Sequence, residues 1–253
     1  MTGGADNRIP HLIQGYKDFT DVIEEHGAEI LYTDEFPVQG QMFTRDHFAV
    51  IGNKILLCPH NKPEQDVMHW MAALSSLGKI AGKSLIDPPL DAIIHGGDVI
   101  LHNDTLYLGQ GGSGTDKAGL EFMKRKFGEH FNVKPINMGR FHQLNGRPAV
   151  HLDTLFNPLS KDKALIYPDG IDDKDIYKLE KKFELLPVDA QEQDSLGTNV
   201  LSLGDGVVVS QKIHGRINST LRDKSFTVKE IDMPAMQTVG GGFRCATVPL
   251  ERE

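Results

Sequence analysis

One order of elements recurs along the 253 residues: a helical segment, a short strand, a loop carrying polar residues, then a hairpin. Five such units follow one another at roughly 50-residue spacing, within the range of arrays and propellers. Their sequences are not alike, so the repeat is one of elements. The first unit reads as helix Tyr16–His26, strand Ala28–Thr33, and Met42–Gly52 paired with Lys54–Pro59. The second reads as helix Pro63–Leu77, whose Met68, Met71, Leu74 and Leu77 mark an apolar face, then strand Lys83–Asp87 and the hairpin Asp98–His102 with Thr105–Gly109. The third has helix Thr115–His130, with Asp116 where the helix dipole favours an acid, then strand Val133–Asn137, a loop at His151 and strand Ala164–Tyr167. The fourth has helix Asp172–Phe183, strand Glu184–Asp189 and a hairpin turning at Asp205-Gly206, a type I′ signal. The fifth has a helix within Gln211–Leu221, strand Ser225–Asp232 and the C-terminal stretch. This pattern predicts an α/β chain of units set around an axis, each placing a polar loop near the centre. A doubly wound sheet is the competing architecture.

The C-terminal stretch Gly240-Gly241-Gly242-Phe243-Arg244-Cys245 carries one of only two cysteines. Three glycines permit a tight turn and close approach of another group, and the alternation after them predicts a strand. Cys245 is thereby placed as a partly exposed nucleophile; a buried structural thiol is the plainer reading. Cys58 and Cys245 are too few for a disulfide framework or a zinc cluster. A net charge of -8 argues against a broad electrostatic footprint for nucleic acid or an anionic membrane. Met1–Pro10 shows no secretory pattern, and no apolar run approaches the roughly 20 residues of a membrane span. The expectation is a single catalytic domain over residues 1–253, cytoplasmic, acting on a small molecule, with homo-oligomerisation left open.

Four polar loops stand out. Phe43-Thr44-Arg45-Asp46 holds an adjacent Arg-Asp pair, either a solvated salt bridge or a carboxylate aimed inward at a cationic or N–H-rich group. His95-Gly96-Gly97-Asp98 sets two glycines between polar side chains, a sign of close backbone approach. His151 and Asp153, two apart in a strand, would share a face, and a carboxylate beside a histidine raises its pKa. The same pair could be half of a metal site, yet no further ligand cluster has familiar spacing. Gly197–Gly204 reads as mainly structural. Gly109-Gln110-Gly111-Gly112-Ser113-Gly114 fits G-x-G-x-x-G between a strand and a helix, but the confirming acid about 20 residues on is missing.

Taken together, these loops resemble the guanidine-modifying (pentein) superfamily of arginine deiminases, dimethylarginine dimethylaminohydrolases and amidinotransferases. The resemblance runs from Phe43–Asp46 through His95–Asp98 and His151–Asp153 to Gly240–Arg252. It implies a five-unit α/β propeller and hydrolysis through a covalent S-linked intermediate, with no metal or organic cofactor. By resemblance Cys245 is the nucleophile, His151 the general acid and base, and Asp46 a ligand for substrate N–H groups. Asp153 supports His151 or binds substrate. His95 would join the catalytic set, and Asp98, Arg45 and Gly242 the substrate-binding one. The fold also includes a ribosome anti-association factor with no catalytic cysteine, so a non-catalytic binding protein stands as an alternative.

The sequence departs from the superfamily in three places. His95 stands where deiminases and dimethylaminohydrolases have a carboxylate that grips the guanidinium. Gly109–Thr115 has no arginine for a substrate α-carboxylate. Cys58–Glu64 lacks a further arginine expected after the first hairpin. Each lost charged hydrogen bond is worth roughly 1.5–3 kcal/mol. The expected substrate is therefore small, neutral and without an amino-acid tail, with an electrophilic carbon between two nitrogens. Among the superfamily's outlying activities, displacement of nitrite from 2-nitroimidazole fits that description; an arginine-type guanidine hydrolase is the alternative.

Overall fold

Four times the chain makes the same move: a hairpin, a helix, then a third strand parallel to the second. In the computed structural model, which describes residues 8–36, 40–60, 66–71, 82–111, 114–138, 151–233, 236 and 240–251, this produces four three-stranded sheets. The first sheet holds β1 (Phe48–Ile51), β2 (Lys54–Leu57) and β3 (Ser84–Ile86). The second holds β4 (Val99–His102), β5 (Thr105–Gln110) and β6 (Asn132–Asn137). The third holds β7 (Phe156–Pro158), β8 (Lys163–Ile166) and β9 (Glu184–Pro187). The fourth holds β10 (Leu201–Gly204), β11 (Val207–Gln211) and β12 (Thr227–Ile231). Within each sheet the hairpin pair is antiparallel. The parallel third strand needs a crossover, which a helix provides.

The helices are α1 (Arg8–Glu25), α2 (Thr44–His47), α3 (residues 66–71), α4 (Lys117–Phe127), α5 (Asp173–Glu180), α6 (Ala190–Asp194) and α7 (Gly215–Asp223). The local signals hold. Asp116 caps α4, accepting from the Gly119 N–H, while Lys124, Arg125 and Lys126 fill its last turn. Asp205 and Gly206 both take positive φ, 46° and 75°, as a type I′ turn requires. No helix among the described residues is long and apolar enough to cross a membrane.

The apolar clusters show how the units join. Ile51 and Leu56 of the first sheet pack with Leu106 and Leu108 of the second. Ile100 and Tyr107 of the second pack with Phe156 and Ile166 of the third. Leu165 and Leu186 of the third pack with Val208 of the fourth and Leu221 of α7. Leu201, Val209 and Ile231 of the fourth pack with Phe19 of α1 and with Phe243 and Cys245. Phe48, Ile55 and Leu57 of the first sheet complete the circuit against Val248. Each cluster thus joins one unit to the next, and the two ends of the chain together fill the fifth place. A doubly wound sheet would instead extend one sheet, so that alternative is excluded.

Three expectations change. Ala28–Thr33 pairs with no strand among the described residues. The stretch after the glycines is a turn and not a strand: the Ala246 N–H donates to the Gly242 carbonyl at 3.2 Å and the Thr247 N–H to the Arg244 carbonyl at 3.2 Å. In the helix expected at Pro63–Leu77, residues 61–65 and 72–81 lie outside the described residues, and Met71 is 53% exposed. The side chains that part of the helix buries are Asp66 and His69.

Candidate active site

A tight turn leads into the first strand of each unit, and these turns gather the polar residues. They are α2 before β1, single 3₁₀ turns Gly96–Asp98 before β4 and Leu152–Thr154 before β7, residues 197–200 before β10, and the turn holding Cys245. The α2 turn packs on Gly96–Asp98, and that turn packs on Leu152–Thr154. Such contact leaves no room for side chains. A Cβ at Gly96 would overlap the carbonyl of Arg45, and one at Gly97 would lie 2.6 Å from His151 Nδ1.

Asp98, expected among the substrate-binding residues, is tied into this framework. It is fully buried; Oδ2 accepts from the Thr115 N–H at 2.7 Å and hydroxyl at 2.9 Å, and Oδ1 from the Leu152 N–H at 2.9 Å. A Cβ at Gly109 would lie 2.5 Å from Oδ1, and one at Gly114 would overlap Oδ2. Gly109 and Gly114 of the G-x-G-x-x-G run therefore make room for a carboxylate, and Gly111 takes a positive φ of 89°, which accounts for these glycines without a dinucleotide. Residues 112 and 113 of that run, and 139–146 of the glycine-bearing loop Met138–Gly146, lie outside the described residues. Arg45 is likewise buried and internal: its Nε donates to the Arg244 carbonyl at 2.7 Å, and its N–H to the Cys245 carbonyl at 3.2 Å.

Cys245 is buried, the plainer of its two sequence readings, and not partly exposed. Its Sγ lies 4.0 Å from Asp153 Oδ2, its nearest recorded polar partner. Burial, then the charges of Asp153 and Asp46, push the thiol well above its ordinary pKa. Asp153 is buried beside Arg244, with Oδ2 3.6 Å from Nε; its Oδ1 has no hydrogen-bond partner. Burial raises the Asp153 pKa, while Arg244, His151 and Arg45 oppose the rise. His151 and Asp153 do not share a strand face. They flank a 3₁₀ turn, with Asp153 at the thiol and His151 at Asp46 and His95.

His151 Nδ1 lies 3.3 Å from Asp46 Oδ1, and Nε2 lies 2.9 Å from His95 Nδ1. Burial works against protonation of His151, but the charge and hydrogen bond of Asp46, with Asp98 and Asp153, prevail and raise its pKa to about 9. Asp46 is shifted down: burial opposes, and His151 outweighs it. His95 goes the other way, lowered to about 2 by burial, His60 and His151. The consistent arrangement is a protonated His151 ion-paired with Asp46 and donating to neutral His95.

Asn199 is the residue that sequence reading missed. Its Oδ1 accepts from the Cys245 N–H at 3.1 Å, and its Nδ2 donates to the Asp153 carbonyl at 3.2 Å. Gly242 is glycine because a Cβ there would lie 2.6 Å from Asn199 Oδ1. The signal was positional: Asn199 lies in the turn leading into the fourth hairpin, as Asp46, Asp98 and Asp153 lie in the other three.

Metal-ligating side chains also come together, although their spacing along the chain is unfamiliar. His60, His95 and His151 form one group and His47, His60 and Asp66 another, with ligand atoms within 4.8 Å of one another in each.

A family described as N,N dimethylarginine dimethylhydrolase, eukaryotic, matches residues 5–252. The uncharacterized protein YkgA of Bacillus subtilis is 31% identical over 236 residues, covering 92% of this chain and 77% of the relative. An arginine deiminase of Streptococcus agalactiae serotype Ia is 26% identical over 292 residues, covering 100% of this chain and 69% of the deiminase. The product-bound N-terminal domain of ArgZ, a cyanobacterial arginine dihydrolase, superposes with a TM-score of 0.80 at 18% identity, covering 95% of this chain and 86% of that domain. SxtG, an amidinotransferase from Microseira wollei, superposes with a TM-score of 0.78 at 18% identity, covering 98% and 85%. The two superpositions share the propeller fold with this chain. With residues 5–252 matched, the chain belongs to the N,N-dimethylarginine dimethylhydrolase family of the guanidine-modifying pentein superfamily, hydrolases that act on C–N bonds.

Proposed function

We propose that the chain hydrolyses a small neutral substrate at a carbon flanked by two nitrogens, through a covalent bond to Cys245. One observation carries the neutral-substrate reading: each described carboxylate of the site already has a charged or hydrogen-bonding partner, which leaves Asp153 Oδ1 as an acceptor for a neutral N–H. Asp46 faces His151, Asp153 faces Arg244, and Asp98 holds three backbone and hydroxyl donors. His95, where a guanidinium-gripping carboxylate would stand, is neutral and hydrogen-bonds His151. A cation entering this site meets Asp46 and Asp153 already paired with His151 and Arg244, and desolvating it there is costly.

The roles follow from position. Asp153 Oδ2, 4.0 Å from Sγ, is the group placed to receive the thiol proton, and the unpartnered Oδ1 is an acceptor for a substrate N–H. Protonated His151 is a donor for the leaving group, and once neutral it is a base for the water that releases the product. Asn199 and Gly242 hold the nucleophile in place. A leaving group that departs as an anion, such as nitrite from 2-nitroimidazole, needs the least proton donation. The second reading, an arginine-type guanidine hydrolase, is favoured by the similarity to arginine deiminase along the whole chain.

The test is a product assay on the full chain beside Cys245→Ala. The panel is arginine, methylated arginines, agmatine, small guanidines and 2-nitroimidazole, scored for ammonia, amines, urea-type products and nitrite. Cys245-dependent nitrite release supports the neutral-substrate reading. Cys245-dependent ammonia or amine release from a guanidine, with no nitrite, overturns it in favour of the second.

A further inference from the structure

His95 leads to a group of imidazoles that the proposed reaction does not use. His60 lies 4.0 Å from His95 between ring centres, and His47 lies 4.6 Å from His60. His69 stacks on His47 at 3.5 Å with the planes 15° apart. Apolar rings would fill such a space at less cost, because every buried ring nitrogen needs a partner. Two have none: His47 Nδ1 and His60 Nε2 are buried without a hydrogen bond. An acid completes the group. Asp66 is buried, its Oδ2 accepts from the His60 N–H at 2.9 Å, and its Oδ1 lies 3.3 Å from His60 Nδ1.

The geometry points to a divalent transition-metal site of the zinc class, held by His47, His60 and Asp66. Two imidazoles and a carboxylate form a zinc-binding set that leaves a fourth position for water. The imidazoles disfavour magnesium and calcium, and the lack of sulfur disfavours copper(I). Ligand atoms within 4.8 Å of one another approach the roughly 3.4 Å separation that metal bonds of about 2.1 Å impose on a tetrahedron, so modest side-chain rotation closes the site. The three ligands come from separate segments: the end of α2, the residues after β2, and α3. A bound ion therefore ties these segments together. The other group, His60, His95 and His151, is the poorer site: it has no carboxylate, and its His95 Nδ1–His151 Nε2 bond at 2.9 Å is tighter than the 3.3 Å His60 Nδ1–Asp66 Oδ1 contact that the ion would replace. The inference does not depend on the proposed reaction.

The experiment uses the full chain carrying Cys245→Ser, which removes the thiolate at the candidate nucleophile as a ligand. The protein is stripped of metal and titrated with Zn²⁺ against a chromophoric chelator, and with Co²⁺ by visible absorption. One saturable equivalent is expected, with a rise in melting temperature on loading. His47→Asn and Asp66→Asn should each weaken binding at least about tenfold, while His95→Asn leaves it within about threefold; melting curves of the metal-free variants check that each is folded. X-ray absorption at the zinc edge, on protein with all ligands intact, should count two imidazoles with oxygen donors. No saturable equivalent overturns the site. So does binding that survives Asp66→Asn but is lost with His95→Asn, or a three-imidazole spectrum, either of which places the ion on His60, His95 and His151.

Discussion

Replacing Asn199 with alanine should damage the candidate site more than any sequence motif suggests. The side chain is buried and makes two hydrogen bonds, from the Cys245 N–H at 3.1 Å and to the Asp153 carbonyl at 3.2 Å. Alanine leaves both backbone groups without these partners, and an unsatisfied buried group costs about 1–3 kcal/mol. Relief from burying the amide itself offsets part of this, so a net loss of about 3 kcal/mol is expected. In a chain of this size that lowers the melting temperature by roughly 6–12 °C. The loss is not only one of stability: the two bonds fix the backbone of the proposed nucleophile, Cys245, relative to Asp153, and misplacement by about 1 Å can reduce turnover 100-fold. Asn199→Asp separates the two bonds. It keeps an acceptor for the Cys245 N–H but loses the donor to the Asp153 carbonyl and adds a charge near an already raised thiol. It should therefore also slow alkylation of Cys245. Differential scanning calorimetry, turnover on the best substrate of the panel and iodoacetamide labelling would be measured together. An Asn199→Ala protein that melts within about 1 °C of the parent and turns over within twofold would refute the positioning role.

Other consequences are as direct. The His151 pKa is raised from 6.5 to about 9, so its stabilising contribution is full below about pH 6.5 and disappears as pH rises through 9. That rise is worth about 3 kcal/mol, and urea unfolding should show the parent losing about that much more stability than His151→Asn between pH 6 and pH 10; parallel losses would contradict the assignment. Asp46 works in the opposite direction, its contribution lost as pH falls through and below the ordinary carboxylate range. Iodoacetamide should label Cys245 slowly at neutral pH and faster only above the ordinary thiol range, and Asp153→Asn should speed labelling at pH 8 by about tenfold; fast labelling of the parent at pH 7 would contradict the burial reading. His95→Glu restores a carboxylate worth roughly 1.5–3 kcal/mol to a guanidinium, so kcat/KM for guanidines should rise about 10- to 150-fold. No gain there would mean that His95 does not set substrate charge.

Much of this was legible in the sequence because the superfamily's chemistry sits in short, ordered motifs. Cys245, His151 and Asp46 lie in such motifs, and the structure places all three in the turns that meet between units. Asp98 and Arg45 lie in the same motifs, yet Asp98 accepts from Thr115 and Leu152 and the Arg45 Nε donates to the Arg244 carbonyl, which sequence order alone cannot show. The strand expected after Cys245 failed because the glycine run is followed by backbone bonds to Gly242 and Arg244 that close a turn. Asn199 carried no motif, only its place before the fourth hairpin. His47, His60 and Asp66 escaped because the fold, not their spacing, brings α2, the end of β2 and α3 together. Helical periodicity there picked out Met71, which is exposed, whereas Asp66 and His69 are buried.

The most direct test of the central claim is acid-quenched mass spectrometry during turnover of whichever panel substrate the chain consumes. The expected result is a transient adduct, the substrate less its leaving group, on the peptide containing Cys245, with turnover abolished in Cys245→Ala. Turnover that persists in Cys245→Ala, or an adduct on Cys58, would contradict covalent catalysis at this cysteine.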